Sequence, residues 1–124
     1  MTAHDSTQPL PLQGVRILAV EQMQAMPFGT QLLARMGADV VKVEHPTKGE
    51  SGRASAPSIR DVDGSEQGAT FLRNNLSKRS LGIDLKNPKG AELFKKLVPQ
   101  YDVVVENFKP GTMERLGIGY EELS

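Results

Sequence analysis

The chain has 124 residues, enough for one domain or part of one, and its 15 basic residues balance its 15 acidic residues. This balance argues against a nucleic-acid or membrane surface that depends on net charge. Because there is no cysteine and there are only two histidines, His4 and His45, thiol chemistry and disulfides are excluded and a histidine metal site is not expected.

Residues 1–13, MTAHDSTQPLPLQ, are polar and contain two prolines, and we expect them to form a flexible lead-in. They have neither the long apolar run nor the basic start of a signal peptide. The sequence has no run of about 18 apolar residues that would span a membrane. It therefore predicts a soluble, cytoplasmic protein.

The first regular elements form a predicted strand–helix–strand unit. An apolar strand is predicted over 15–20, and Pro27 suits the first turn of the next helix, where a missing N–H costs nothing. Gly37 can adopt the positive φ of a helix end, and a second strand is predicted over 39–44. Four residues at helical spacing predict the face of the helix that packs on the sheet: Phe28, Leu32, Leu33 and Met36.

The middle of the chain has no helical or strand periodicity. Residues 46–70 are rich in glycine, serine, proline and charge, which predicts an irregular loop. Loops of this length are often functional or disordered. A third strand is predicted over 80–85.

A second unit follows, with Asn87 as N-cap, Pro88 as the first helical residue and Pro99 as the helix end. Four residues predict its buried stripe: Leu93, Phe94, Leu97 and Val98. A fourth strand is predicted over 102–106. A short helical piece over 113–116, capped by Thr112, and the first turn of another helix complete the chain.

These elements predict an α/β fold, Rossmann-like, with a mostly parallel sheet of about four strands and flanking helices. Ligands of such sheets bind beyond the carboxyl ends of the strands. The sequence therefore predicts a site formed by residues 21–26, 44–46, 84–87 and 106–110.

A dinucleotide would need a G-x-G-x-x-G turn after the first strand, but residues 21–29 contain a single glycine, Gly29. Glu44 lies where a ribose-binding acid would lie. The side chains of Met23 and Gln24, however, would keep the backbone away from a pyrophosphate. NAD and FAD are therefore not expected.

Basic residues near the strand ends favour an anionic ligand over a merely solvated surface. They are Arg73, Lys78, Arg79, Lys86, Lys109 and Arg115. Four acids flank the strands and are expected to be solvated or paired rather than catalytic. They are Asp39, Asp84, Asp102 and Glu106.

Four stretches resemble the N-terminal part of CoA-transferase family III, also called the CaiB/BaiF family: LQGVRILAVEQ, QAMPFGTQLLARMGADVVKVEHP, NLSKRSLGIDLKNPKGAELFKKL and DVVVENFKPGTMERLGIGYEEL. The family includes formyl-CoA transferase, carnitine CoA-transferases and α-methylacyl-CoA racemase. The resemblance implies that residues 14–124 form a CoA-binding segment, truncated at the C-terminus. It would be an incomplete part of a larger fold in which two chains interlock as a homodimer.

The resemblance also implies that coenzyme A, a substrate rather than a tightly bound cofactor, occupies the crevice and is held largely by side chains. The matching positions are Met23 and Gln24 at the thiol end, His45, Ile83 and Lys86 around the adenine, the contact residues Asn107 and Phe108, and Arg115 near the phosphates. Two positions depart from the family pattern. Met26 replaces a glycine, and His45 replaces a frequent arginine.

In the transferases of this family an aspartate attacks the acyl-CoA thioester, and it lies after the region matched here. The resemblance thus implies an enzyme that moves CoA between an acyl-CoA donor and a carboxylic acid acceptor, of which this chain alone is inactive. Two alternatives remain: an acyl-CoA racemase or isomerase of the same family, and a non-catalytic CoA-binding or assembly module. Gln24 favours the transferase, because formyl-CoA transferase carries glutamine there.

Overall fold

The computed structural model describes residues 8–124, so His4 and most of the expected lead-in lie outside the described residues. The strands are β1 (Arg16–Val20), β2 (Asp39–Glu44), β3 (Ser58–Arg60), β4 (Glu66–Gly68), β5 (Arg79–Gly82) and β6 (Val103–Glu106). The α-helices are α1 (Ala25–Arg35), α2 (Ala69–Asn74), α3 (Pro88–Leu97), α4 (Thr112–Arg115) and α5 (Tyr120–Leu123). Two 3₁₀ turns cover Ser51–Ala54 and Val98–Gln100. None of the helices in the described part of the chain is long and apolar enough to cross a bilayer.

The main sheet has four strands in the order β5–β2–β1–β6, and all three neighbouring pairs are parallel. Leu18 of the central strand β1 is aligned with Val41 on one side and Val104 on the other. The predicted α/β fold with a four-stranded parallel sheet and flanking helices is confirmed. The carboxyl ends of all four strands therefore meet at one edge, which we call the carboxyl edge.

Alternate residues of each strand face opposite layers, because side chains in a strand alternate between its two faces. On one face, Leu18 and Val20 pack with Phe94 of α3 in a core that also contains Met113 and Ile118. The other face carries a second core of Ile17, Ala19 and Val40, covered by Ala34 and Ala38 at the end of α1. Each face of the sheet thus has its own helix.

The predicted apolar face of α1 is wrong for three of its four residues. Phe28, Leu32 and Met36 are 51%, 42% and 41% exposed, whereas Leu33 packs against the second core. The residues of α1 that are buried instead are Pro27, Thr30, Gln31 and Ala34. The reason is polar: the Thr30 hydroxyl donates to the buried carboxylate of Glu21 at 2.7 Å, so a polar side of the helix faces the sheet.

The start of α3 is as predicted, since Asn87 Oδ1 accepts the N–H of Lys89 at 3.0 Å and Pro88 occupies the first turn. Within its predicted buried stripe, Phe94 is fully buried but Leu93 is 49% exposed. The third strand, predicted over 80–85, is shifted to β5 over Arg79–Gly82. It ends early because the chain turns at residues 84–87, where the N–H of Asn87 donates to the carbonyl of Asp84.

The segment predicted as an irregular loop, residues 46–70, which we call the polar segment, contains more regular structure than its sequence indicates. It holds the first 3₁₀ turn, the antiparallel hairpin β3–β4 and the start of α2. This segment and the residues up to β5 lie against the carboxyl-edge half of the α1 face of the sheet, held by charged side chains. That arrangement positions the candidate site.

Candidate functional site

The turn after β1 is fixed to the end of β6 by one side chain. The N–H of Gln22 donates to Asn107 Oδ1 at 2.8 Å, and Asn107 Nδ2 donates back to the carbonyl of Gln22 at 3.0 Å. Met23 follows with φ of +64° and a side chain that is 44% exposed. Gln24 is exposed and makes no capping hydrogen bond to α1. The turn therefore presents Met23 and Gln24 to solvent at the carboxyl edge.

The opposite side of the same turn is held by the polar segment. Glu50 Oε2 accepts the N–H of Met23 at 2.7 Å. The N–H and the hydroxyl of Ser51 both donate to Gln22 Oε1 at 2.9 Å. Two separate parts of the chain thus fix the backbone of residues 22 and 23.

A groove of about 260 Å³ lies beside this turn, between the ends of β1 and β2, the residues after β5, and α4. Four of the eight predicted site residues line it: His45, Ile83, Lys86 and Phe108. Ile83 is buried and Phe108 half-buried, while Lys86 is exposed. The groove accordingly combines apolar walls with a cation open to solvent.

His45 lies between this groove and a larger one of about 820 Å³ next to the β3–β4 hairpin. Its Nδ1 accepts the N–H groups of Thr47 and Lys48, both at 3.3 Å. Because Nδ1 is used as an acceptor within its own turn, Nε2 is the ring nitrogen that can face a ligand.

The other four predicted site residues lie outside the smaller groove: Met23, Gln24, Asn107 and Arg115. Gln22, which precedes Met23 and bonds to Asn107, lines the groove. Arg115 Nη2 donates to Thr112 Oγ1 at 2.9 Å, and Thr112 is also a lining residue. The structure thus brings four site residues into one groove and bonds Asn107 and Arg115 to two of its lining residues, whereas Met23 and Gln24 follow the lining residue Gln22 in the chain.

The expected gathering of six basic residues at one edge is wrong for two of them. Lys78 is buried, and its Nζ donates to Glu21 Oε1 at 2.6 Å and to the carbonyl of Pro27 at 2.8 Å. Arg79 pairs with Asp39 at 2.6 Å, at the start of β2 and so at the opposite edge of the sheet. Of the other four, Lys86 lines the groove and Arg115 bonds to its lining residue Thr112, whereas Arg73 and Lys109 do not line it.

The four strand-flanking acids are engaged, as expected. Asp39 pairs with Arg79, and Asp102 accepts the N–H of Arg16 at 2.8 Å. Asp84 accepts the N–H of Lys86 and Glu106 that of Phe108, at 3.0 and 2.7 Å. The last two bonds shape the turns that carry site residues.

A charged network, which we call the buried network, lies under the polar segment and was not predicted from the sequence. It consists of three acids and three bases: Glu21, Glu44, Glu50, Lys42, Arg53 and Lys78. The Lys42 ammonium lies 3.8 Å from the Glu21 carboxylate and 3.7 Å from that of Glu50, and the side chains of all three are almost completely buried. A lysine inside the apolar strand VVKVE was the signal that could have found it, because a buried charge needs partners.

Glu44 has the most strongly shifted ionisation in the network. Burial alone would raise its pKa, but hydrogen bonds from Arg53, from the Ser80 hydroxyl and from the N–H of Glu50 outweigh burial and lower the pKa to about 2. Arg53 binds both carboxylate oxygens at 2.8 Å and lies 3.7 Å from the centre of the Phe71 ring. Glu44 therefore stays ionised at neutral pH and holds the polar segment on β2.

For the two buried lysines, unlike Glu44, the effect of burial on the pKa outweighs that of the neighbouring charges. Burial lowers the pKa of Lys42 and of Lys78, and the neighbouring carboxylates oppose this change. The largest opposing effect comes from Glu50 for Lys42 and from Glu21 for Lys78. Asn75 Oδ1 accepts from both ammonium groups, at 2.8 Å from Lys42 and 3.1 Å from Lys78. The network is a structural support beneath the site, since its lysines are enclosed.

Residues 12–124 match the profile of CoA-transferase family III, and the chain belongs to this family. The resemblance of the four sequence stretches is thereby confirmed.

Among its relatives are two CoA-transferases. The chain is 41% identical over 120 residues to the succinyl-CoA–L-malate CoA-transferase beta subunit of Chloroflexus aurantiacus, covering 96% of this chain and 28% of that protein. It is 45% identical over 112 residues to the formyl-CoA:oxalate CoA-transferase of a Bradyrhizobium species, covering 90% and 25%. A CaiB/BaiF family protein from Brucella suis superimposes with a TM-score of 0.84 at 40% identity, covering 94% and 30%. The chain thus spans less than a third of the length of these proteins.

Proposed function

We propose that the chain is the CoA-binding N-terminal segment of a CoA-transferase that moves coenzyme A between an acyl-CoA donor and a carboxylic acid acceptor. Family membership and the CoA-transferases among its relatives support the class of reaction. The observation that carries the proposal for this chain is the groove at the carboxyl edge, lined by four residues at positions that match the family's coenzyme-binding residues.

In the proposed complex the adenine is flanked by Ile83 and Lys86, and Phe108 supplies a further apolar wall of the groove. Arg115 faces the phosphates as a two-pronged donor, and Lys86 adds a positive point charge beside the adenine. The pantetheine arm runs towards the turn of Met23 and Gln24. His45 replaces a more firmly charged arginine, so its phosphate contribution is the weakest of the basic side chains.

The relatives continue beyond the matched region, and the family's aspartate nucleophile is expected there. The chain alone is therefore proposed to bind coenzyme A but not to catalyse its transfer. The four strand-flanking acids give no substitute, because each is engaged in a turn or a pair. The homodimer implied by the family is also a proposal. The exposed apolar side chains of Phe28 and Leu32 in α1 and of Met36 directly after it offer a surface for it.

Calorimetric titration of the chain with coenzyme A, beside NADH, tests the coenzyme site. The double variant Lys86→Ala, Arg115→Ala should bind coenzyme A at least about 10-fold more weakly, because it removes the two cations of the proposed site, one of which makes charge-assisted bonds to the phosphates. NADH should give no saturable heat, because the turn lacks the glycines that a dinucleotide needs.

The matched control is Lys89→Ala, Lys96→Ala, which removes the same charge from α3, away from this groove. It should bind coenzyme A as the unchanged chain does. An equal loss of affinity in both double variants would mean that only net charge matters. No binding by a chain whose circular dichroism shows that it is folded would overturn the proposed function.

A further inference from the structure

We infer that Glu50, a residue of the polar segment outside the groove, is a positioning residue for the coenzyme site. Its carboxylate holds the Met23 turn in the left-handed conformation that presents Met23 and Gln24 to the ligand. The inference rests on the proposed function for the identity of that ligand. The hydrogen bond between Glu50 and the turn lies within the chain and does not depend on which ligand binds.

Met23 adopts a conformation that its own side chain disfavours. With φ of +64° it lies in the left-handed region, which glycine adopts readily and in which a residue with a Cβ is strained. Because the residue type does not select this turn, contacts from elsewhere must select it. The N–H of Met23 makes one such contact, to Glu50 Oε2 at 2.7 Å.

That contact is of the strong kind. The acceptor is a carboxylate, and its side chain is 0% exposed, so water does not compete for the bond. Glu50 Oε1 makes no hydrogen bond with any described residue and is balanced by the Lys42 ammonium at 3.7 Å. One oxygen of the carboxylate thus binds the turn, and the other faces the buried Lys42 ammonium.

Glu50 is itself fixed in place by its surroundings. Its N–H donates to Glu44 Oε1 at 3.0 Å, and Glu44 is bound by Arg53 through both oxygens. A Cβ at position 52 would collide with Glu50 Oε1, so Gly52 leaves the room that the carboxylate occupies. The turn is therefore held by a preformed support.

A structural contribution has to be separated from positioning, because any break in the buried network weakens the fold. Asn75 provides the matched comparison. Like Glu50 it is a partner of Lys42, since its Oδ1 accepts from the Lys42 ammonium at 2.8 Å. Its other bonds come from the Lys78 ammonium and go to the carbonyl of Phe71, so none of them reaches the Met23 N–H. Loss of either side chain removes one of the three partners of Lys42, whereas of the two only Glu50 bonds to the turn.

The test compares Glu50→Ala, Glu50→Gln and Asn75→Ala with the unchanged chain, at a temperature where all four are folded by circular dichroism. Amide hydrogen exchange at Met23 reports directly on its hydrogen bond to Glu50. Exchange should be at least about 10-fold faster in Glu50→Ala, intermediate in Glu50→Gln, whose amide oxygen can still accept, and unchanged in Asn75→Ala. Titration with coenzyme A should show the same order: about 10-fold weaker binding, a partial recovery, and no change.

The two proposals fail differently. Slow exchange of the Met23 amide in Glu50→Ala would overturn the positioning role, whatever coenzyme A does. Equal coenzyme affinity in Glu50→Ala and the unchanged chain would overturn it as well, as would a matching loss in Asn75→Ala. Absence of coenzyme binding by the folded, unchanged chain would instead overturn the proposed function, and the exchange rates would then decide the hold on their own.

Discussion

Lys42 shows how a single side chain can organise a segment of this molecule. It stands in β2 between valines that pack in the cores, yet its ammonium is as buried as they are. Around it lie the carboxylates of Glu21 and Glu50 and the amide of Asn75. A buried charge is tolerated only when its partners are close and fixed, so the lysine sets where the first turn and the polar segment must lie.

Lys42→Met should lower the free energy of unfolding by about 3 kcal/mol or more. The methionine fills a similar volume, but it leaves the carboxylates of Glu21 and Glu50 in an apolar interior with one cation fewer, and breaking one side of a buried pair costs about 3–5 kcal/mol. Urea unfolding followed by circular dichroism measures the change. Arg79→Met, which breaks the exposed pair with Asp39, should have little effect. A small loss in Lys42→Met would show that the network adds nothing to stability.

At the scale of elements, the α1 face of the sheet changes character along the strands. Near the amino edge its residues are apolar, as with Ile17 and Val40, and near the carboxyl edge they are charged, as with Glu21, Lys42 and Glu44. The polar segment covers the charged half. Its polarity therefore reflects complementarity to buried charge rather than a lack of structure.

The same change explains which elements the sequence could predict. Strand and helix starts followed from local signals, such as the valine runs and the Asn87–Pro88 cap, because these act within a few residues. The buried side of α1 did not follow, because Thr30 faces a carboxylate that only the folded sheet brings to it. The β3–β4 hairpin had one local signal, the Asp63–Gly64 pair in its turn, but its three-residue strands are too short for an alternating pattern.

Gly90 in α3 gives a prediction about how elements fit together. An alanine in a helix is ordinarily favoured over glycine by about 1 kcal/mol. A Cβ at this position, however, would collide with the carbonyl of Asp84, a backbone atom in the turn that carries Ile83 and Lys86. Gly90→Ala should therefore destabilise the chain by about 1–3 kcal/mol.

Gly29→Ala in α1 is the control for that measurement, because nothing lies within 4 Å of its added Cβ. It should leave stability unchanged or raise it by up to about 1 kcal/mol. Both variants are compared by urea unfolding. A gain of stability in Gly90→Ala equal to that in Gly29→Ala would show that α3 does not need the close approach to the turn.

At the scale of the molecule, fold and site were predictable to different degrees. The parallel sheet places the strand ends at one edge, and that topology alone predicted where the groove lies. Which residues share the groove was not predictable from topology: Lys78 and Arg79 were expected there, and each is instead paired with a carboxylate. Pairing of charges depends on three-dimensional neighbours, so sequence patterns identify the edge more reliably than its individual cations.

The balanced buried charges also determine how the whole molecule responds to acid. Glu44 has a pKa of about 2 in the folded chain, against an ordinary 4.5. Between these values the unfolded chain binds a proton that the folded chain does not, so stability rises with pH in this window and is lost as the pH falls from about 4.5 towards 2.

Arg53→Met tests the origin of this acid sensitivity. It removes the largest of the hydrogen-bond effects that lower the pKa of Glu44 and leaves those of Ser80 and Glu50, so the folded and unfolded pKa values approach each other and the stability changes less between pH 3 and pH 5. The variant should be less stable at pH 7 by roughly 2 kcal/mol, below the fully buried case because Arg53 is partly exposed. Urea unfolding at pH 3, 5 and 7 measures both effects.

Arg60→Met, which removes only the exposed pair with Glu66, should keep the acid dependence of the unchanged chain. An acid dependence in Arg53→Met as steep as in the unchanged chain would mean that carboxylates other than Glu44 govern the loss.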